Sequence, residues 1–223
     1  MFTLFIQKKK GDVNPFPLTK QINDFLKKTK ANGVIIAPGH LSHNTPEVKA
    51  LIDNILDGTN VKSFGLLNCY GKNTISTYET YLSGKSKLLK IKRNNKSDHR
   101  KMVFVFKFRE IDILEVDSKN YEKFLSEIEV IGVAIGSSNF SYTTYGGSLI
   151  SIIKKGKSIL KKSGKANKGE ADILMFEDDD FKGEIVQQIG NDPNGNLVLS
   201  QSFTPVPDEF FKDILRNTFN YSL

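Results

Sequence analysis

The 223-residue chain has a single cysteine, Cys69. One thiol closes no intramolecular disulfide and builds no cysteine-based zinc cluster within one chain. That suits a reducing compartment. No apolar run approaches the ~20 residues that a membrane-spanning helix needs. The start, MFTLFIQKKKGDV, has a short apolar run with its lysines after it, the reverse of a secretory signal. These absences lead us to expect a cytoplasmic protein without stable membrane insertion. There is no fixed-period repeat and no convincing linker. We therefore expect one domain over residues 1–223. With 39% hydrophobic and 26% charged residues, the composition is that of a globular chain and not a disordered one.

Acid is missing from one stretch in particular. Residues 154–168, KKGKSILKKSGKANK, hold seven lysines and no Asp or Glu. Without them, the remaining 25 basic residues balance the 25 acidic ones, so the net charge of +7 sits in this segment. Such a segment favours a polyanion, either nucleic acid or an anionic membrane surface. Its plainer reading is a solubilising surface loop.

The chain between Ala31 and Gly71 reads as strand, loop, helix, strand. GVIIA is a compact apolar run of strand length. NTPEVKALIDNIL offers a capping residue, a first-turn Pro and Glu, and apolar Val48, Leu51, Ile52, Ile55 and Leu56 at helical spacing. VKSFGLL is a second strand, which makes a β-α-β unit with a crossover helix. A helix or turn at ISTYETYLSGKS follows. Strands are expected at KLLKIKR, HRKMVFVFKF, EVIGVAIG and GEADILMF, with helices at DSKNYEKFLSEI and after Pro207. The first 25 residues give no clear element. The whole reads as an α/β fold with a mixed, largely parallel sheet flanked by helices.

The chemistry gathers at two strand ends. His99 and Lys101 are two residues apart at the start of an apolar strand, so they project to the same face. Ser137 and Asn139 share that spacing where VIGVAIG runs out, and Gly136 permits a sharp turn or a close backbone approach there. This set suits a phosphate: Lys gives charge, Asn neutral donors, and imidazole a nucleophile or proton carrier.

At this point the chain resembles the phospholipase D superfamily, whose signature is His-x-Lys followed by Gly-Ser-x-Asn. Here these are His99-Arg100-Lys101 and Gly136-Ser137-Ser138-Asn139. Members also tend to carry a downstream acid, for which NKGEADILMF offers Glu170. The resemblance covers residues 30–176. It departs at Phe106, where many members have an Asp, a departure shared by some nuclease branches. The gaps before Gly136 and before Glu170 are also long, and the lysine segment fills the second.

The resemblance implies a phospholipase D-like fold and a phosphodiesterase needing neither metal nor cofactor. His99 would attack phosphorus, Lys101 and Asn139 would stabilise the phosphoryl oxygens, and Glu170 would orient the imidazole. Single-copy members pair as homodimers with the site on the axis, so a second histidine would supply the leaving-group proton. Ser137 and Ser138 would line the substrate. Lys154, Lys155, Lys161 and Lys162 would hold a DNA backbone. The missing Asp and the lysine segment favour a nucleic-acid endonuclease, in kind a metal-independent restriction or defence enzyme. A lipid phosphodiesterase is the alternative. With no helix-turn-helix or zinc finger evident, sequence specificity would come from loops or a separate partner protein.

Each residue also has a plain structural reading. His99 can be a surface histidine beside a solvated lysine, Asn139 a turn residue capped by Ser137, and Glu170 a strand-edge charge. His40 and His43, in APGHLSH, read as incidental loop histidines, with substrate contact as the alternative and a metal site lacking a third ligand. FEDDDF at 176–181 reads as solvated surface, with a cation site at Asp178–Asp180 as the alternative.

Overall fold

The computed structural model describes residues 1–8, 17–41, 46–68, 75–85, 87–94, 96–108, 115–136, 149–154, 157–162, 170–192, 195–202 and 207–223. In chain order these form β1 (Phe2–Lys8), α1 (Pro17–Thr29), β2 (Gly33–Pro38), α2 (Pro46–Leu56), β3 (Ser63–Leu66), α3 (Ile75–Ser83), β4 (Lys87–Ile91), β5 (Lys101–Phe108) and β6 (Glu115–Val116). Then follow α4 (Tyr121–Ser126), β7 (Ile128–Gly136), β8 (Leu149–Lys154), β9 (Lys157–Lys162), β10 (Glu170–Phe176), α5 (Asp179–Gly190), β11 (Leu197–Gln201) and α6 (Pro207–Ser222).

Nine strands form one sheet in the order β11-β1-β10-β7-β5-β2-β3-β4-β6, and β8 pairs with β9 separately. The sheet is mixed and has helices on both faces, as the sequence leads one to expect. The balance is not largely parallel, however. Parallel pairing is confined to β2-β3, β3-β4 and β4-β6, and every other junction is antiparallel. The β2-α2-β3 unit supplies the crossover that parallel neighbours require. β5, β7, β10, β1 and β11 instead pair antiparallel, with β5 and β7 side by side.

The apolar runs follow from burial on both faces. All six residues of β2 are buried. Its Val34 and Ile36 join a core with Ile22, Phe25 and Leu26 of α1, Ile52 and Ile55 of α2, and Phe181 and Ile185 of α5. Its Ile35 and Ala37 join the opposite core, with Phe124 of α4 and Phe211, Leu215 and Phe219 of α6. β5 alternates in the same way: Val103 and Val105 face the first core, Phe104 and Phe106 the second.

Phe106, where the resemblance leads one to look for an Asp, is wholly buried. Its ring meets Phe108 and Phe124 edge-on at centroid distances of 5.1 and 5.8 Å. Such pairs contribute about 0.5–1.5 kcal/mol beyond simple burial. A Cβ at Gly33 would come within 2.6 Å of the Phe106 ring, so the glycine makes room for it. This position serves the core, and an acid there would be buried among aromatics.

The unplaced N-terminal stretch supplies an inner strand and a core helix. β1 lies between β10 and β11, and α1 buries Leu18, Ile22, Phe25 and Leu26. The acidic run opens a helix: the Asp178 side chain accepts from Phe181 N at 2.7 Å, while Asp179 and Asp180 occupy the first turn of α5. Carboxylates there complement the helix dipole. Among the described residues no three His, Cys, Asp or Glu side chains group as metal ligands. No described helix is long and apolar enough to cross a membrane.

Candidate active site

Four adjacent strands, β10, β7, β5 and β2, bring the candidate residues to one end of the sheet. β5 and β10 begin at this end; β7 and β2 finish there. Pro38 of β2 pairs with Lys101. Met102 pairs with Ile135, one residue short of Gly136. Gly136 pairs with Asp172. Lys101, Gly136 and Asp172 thus stand in a row across three strands. They share the face of Val103, Ala134 and Leu174, because side chains two apart lie on one side.

His99 is exposed just before β5, and Lys101 is half-buried at its first position. The Lys101 ammonium donates to the His99 carbonyl at 2.7 Å, so the lysine folds back over the backbone that carries the histidine. A small recess beside Lys101 is lined by Met102, Ala134, Gly136 and Asp172.

The residues between and before this pair anchor it. Asp98 is buried, with 3% of its side chain exposed. The Arg100 guanidinium reaches its two carboxylate oxygens at 2.6–3.0 Å. The Asp98 carboxylate also accepts from the Arg100 backbone amide at 2.8 Å. Arg100 goes on to Thr218 O at 3.2 Å and Ser222 Oγ at 3.4 Å in α6, and stacks over the Tyr221 ring at 4.6 Å. A charged fork therefore pins the segment to α6, and His99 and Lys101 alternate with the pinned residues. We did not single out Asp98 or Arg100 from the sequence. The signal was their spacing, i and i+2, interleaved with the His-x-Lys pair.

Asp172 was likewise missed. It is buried at 4% exposure and lies against Gly136. A Cβ at Gly136 would come within 2.6 Å of the Asp172 Cα and closer still to its carboxylate. The glycine of Gly-Ser-x-Asn therefore lets this acid pack against the strand end.

His40 follows β2 and is half-buried. Burial lowers its pKa, and so does the positive charge that His99 can carry. His40 is thus within electrostatic reach of His99 and belongs to this end of the sheet.

Glu170 is the first residue of β10, at the register position of Lys8. Lys154, Lys161 and Lys162 are strand residues of the β8–β9 pair, at the register positions of Lys157, Ile150 and Leu149. Ser137, Ser138, Asn139, Lys155 and His43 lie outside the described residues.

Beside this site the sheet has an open flank. On the face opposite α1, Phe5 and Val198 remain 44% and 56% exposed. They border a cavity of about 400 Å³, also lined by Ile135, Ile173 and Asn196, that reaches Gly136 and Asp172.

No protein-family model and no curated protein matches the chain. Among solved structures, the chain is similar to a phospholipase D family member, Nuc from Salmonella typhimurium. The identity is 12% and the TM-score 0.38, over 91% of this chain and 100% of that one. A likeness that low leaves the family to be argued from the motif residues themselves.

Proposed function

We propose that residues 1–223 form one phospholipase D-like catalytic domain, a metal-independent phosphodiesterase that cuts nucleic acid. The observation that carries this reading is the meeting of two motif elements. His99-x-Lys101 opens β5, and Gly136, the first residue of Gly-Ser-x-Asn, closes the neighbouring β7 at the same sheet end.

In the proposed reaction a His99 imidazole nitrogen attacks phosphorus. The N–P bond forms as the bond to the leaving oxygen breaks, which divides one hard displacement into two easier ones. His99 of the partner subunit protonates the leaving alkoxide. That histidine, now neutral, takes a proton from water as the water attacks the phosphohistidine and frees His99. Lys101 and Asn139 neutralise charge on the non-bridging oxygens, and Glu170 holds the imidazole in its working tautomer.

This scheme requires a homodimer. Nucleic acid is favoured over lipid by the lysine-rich segment, which contains the β9 strand. Each lysine–phosphate contact on duplex DNA steepens the log-log salt dependence of binding by about 0.9.

The test is cleavage of plasmid DNA in excess EDTA by wild type and His99→Ala, with phospholipid vesicles assayed in parallel. The reading predicts nicking or cutting by wild type alone. Cleavage of phospholipid but not DNA would transfer the same chemistry to a lipid substrate. Cutting that needs magnesium and survives His99→Ala would refute the mechanism.

A further inference from the structure

We propose that His40 is a substrate-binding residue of this site, a neutral N–H donor to a non-bridging oxygen of the phosphoryl group that His99 attacks. The inference rests on the phosphodiesterase reading above and adds a residue that the His-x-Lys and Gly-Ser-x-Asn signatures do not contain.

Pro38 of β2 pairs antiparallel with Lys101 of β5. The pairing ends there, with His40 two residues beyond the end of β2 and His99 two residues before the start of β5. The strand does not simply run on, because Gly39 lies between with φ of 64°. That is the left-handed region, which glycine enters without penalty and other residues resist. The chain turns there and regains single bridge positions at His40 and Leu41. Leu41 is buried in the α1–α2 core, so the turn is fastened immediately beyond the histidine. His40 is therefore held at the strand end.

Its electrostatics fit a neutral role. Both burial and a charge on His99 disfavour the imidazolium. Lys101 supplies the fixed positive charge of the site, and a neutral imidazole still offers one N–H donor.

Geometry decides which oxygen it serves. In-line displacement puts the leaving oxygen on the far side of phosphorus from His99. A group beside His99 is thus placed for the equatorial oxygens and badly placed to protonate the leaving group. That separates His40 from the general acid, which the proposed mechanism assigns to the partner subunit.

The test is binding of inorganic tungstate, a tetrahedral oxyanion, to the purified full chain by calorimetry at neutral pH. Wild type, His40→Ala, His40→Asn and His99→Ala are compared, with hydrolysis of bis(p-nitrophenyl) phosphate measured alongside. A lost hydrogen bond to a charged ligand corresponds to about a ten-fold or greater weakening. The proposal predicts that loss in His40→Ala, with a parallel fall in turnover. His40→Asn, which keeps an N–H donor, should recover most of both. Should His40→Ala fail to fold, nitrogen chemical shifts of His40 in the wild type decide: movement on adding tungstate supports the contact, and no movement overturns it. Wild-type binding and turnover in His40→Ala, with both lost in His99→Ala, would overturn this inference and leave the phosphodiesterase reading standing. Absence of both in the wild type would remove that reading, and this inference with it.

Discussion

Replacing Asp98 by Ala should unfasten the segment that carries His99 and Lys101. The carboxylate is buried and takes three contacts from the Arg100 guanidinium, and it also accepts from the Arg100 backbone amide. Removing one partner of a fully buried ion pair costs about 3–5 kcal/mol. Here the arginine side chain is 29% exposed and keeps its contacts to Thr218 O and Ser222 Oγ, so it recovers part of that from water and α6. We expect a loss of about 2–3 kcal/mol. For a protein of this size that lowers Tm by roughly 5–10 °C. The assay is thermal unfolding followed by circular dichroism, run on Asp98→Ala, Arg100→Ala and the double variant. The double variant should be less destabilised than the sum of the singles, with a coupling of about 1–3 kcal/mol. Arg100→Lys should not restore stability, because an ammonium lacks the planar fork that meets both carboxylate oxygens. Activity should fall more than stability, since His99 and Lys101 alternate with the anchored residues. Additive single effects, or an Asp98→Ala Tm within about 1 °C of wild type, would refute the reasoning.

Two further outcomes follow from packing. Gly136→Ala forces a methyl against the Asp172 backbone and carboxylate; it should cost about 1–3 kcal/mol in denaturant unfolding and reduce turnover, because Gly136 opens the Gly-Ser-x-Asn sequence. Asp178→Ala removes the cap on α5, so it should cost about 1 kcal/mol and leave EDTA-resistant cleavage intact, whereas loss of cleavage without loss of stability would restore the acidic run as a reaction site.

Much of the fold was legible because local pattern and tertiary burial agree. GVIIA and MVFVF are apolar at every position, as strands covered on both faces must be. NTPEVKALIDNIL carries its stripe and first-turn residues in order, and the β2-α2-β3 crossover follows. The N-terminal stretch was opaque for a different reason. β1 reaches β10 only after 161 intervening residues and β11 after 188, and no local feature announces that pairing. The helix at Asp179 was hidden because a run of carboxylates reads as solvated surface until one of them is seen to cap a backbone amide. Parallel content was overstated because the one clear β-α-β unit stood for the whole sheet.

The candidate positions His99, Lys101 and Gly136 stood out in the sequence through the His-x-Lys and Gly-Ser-x-Asn resemblance. Asp98 and Arg100 did not, since their pairing needs α6 to bury them. Asp172 gave no signal in the sequence; the strand register sets it against Gly136. His40 stayed open between an incidental loop residue and a substrate contact, because no local feature shows that β2 ends beside the start of β5.

The most direct measurement is capture of the covalent intermediate. End-labelled DNA would be mixed with enzyme in EDTA, quenched in alkaline detergent, and resolved for protein-bound label. The account predicts an adduct that survives alkali, is released by acid, maps to the peptide containing His99, and is absent from His99→Ala. Efficient cleavage with no such adduct, or an adduct that persists in His99→Ala, would contradict it.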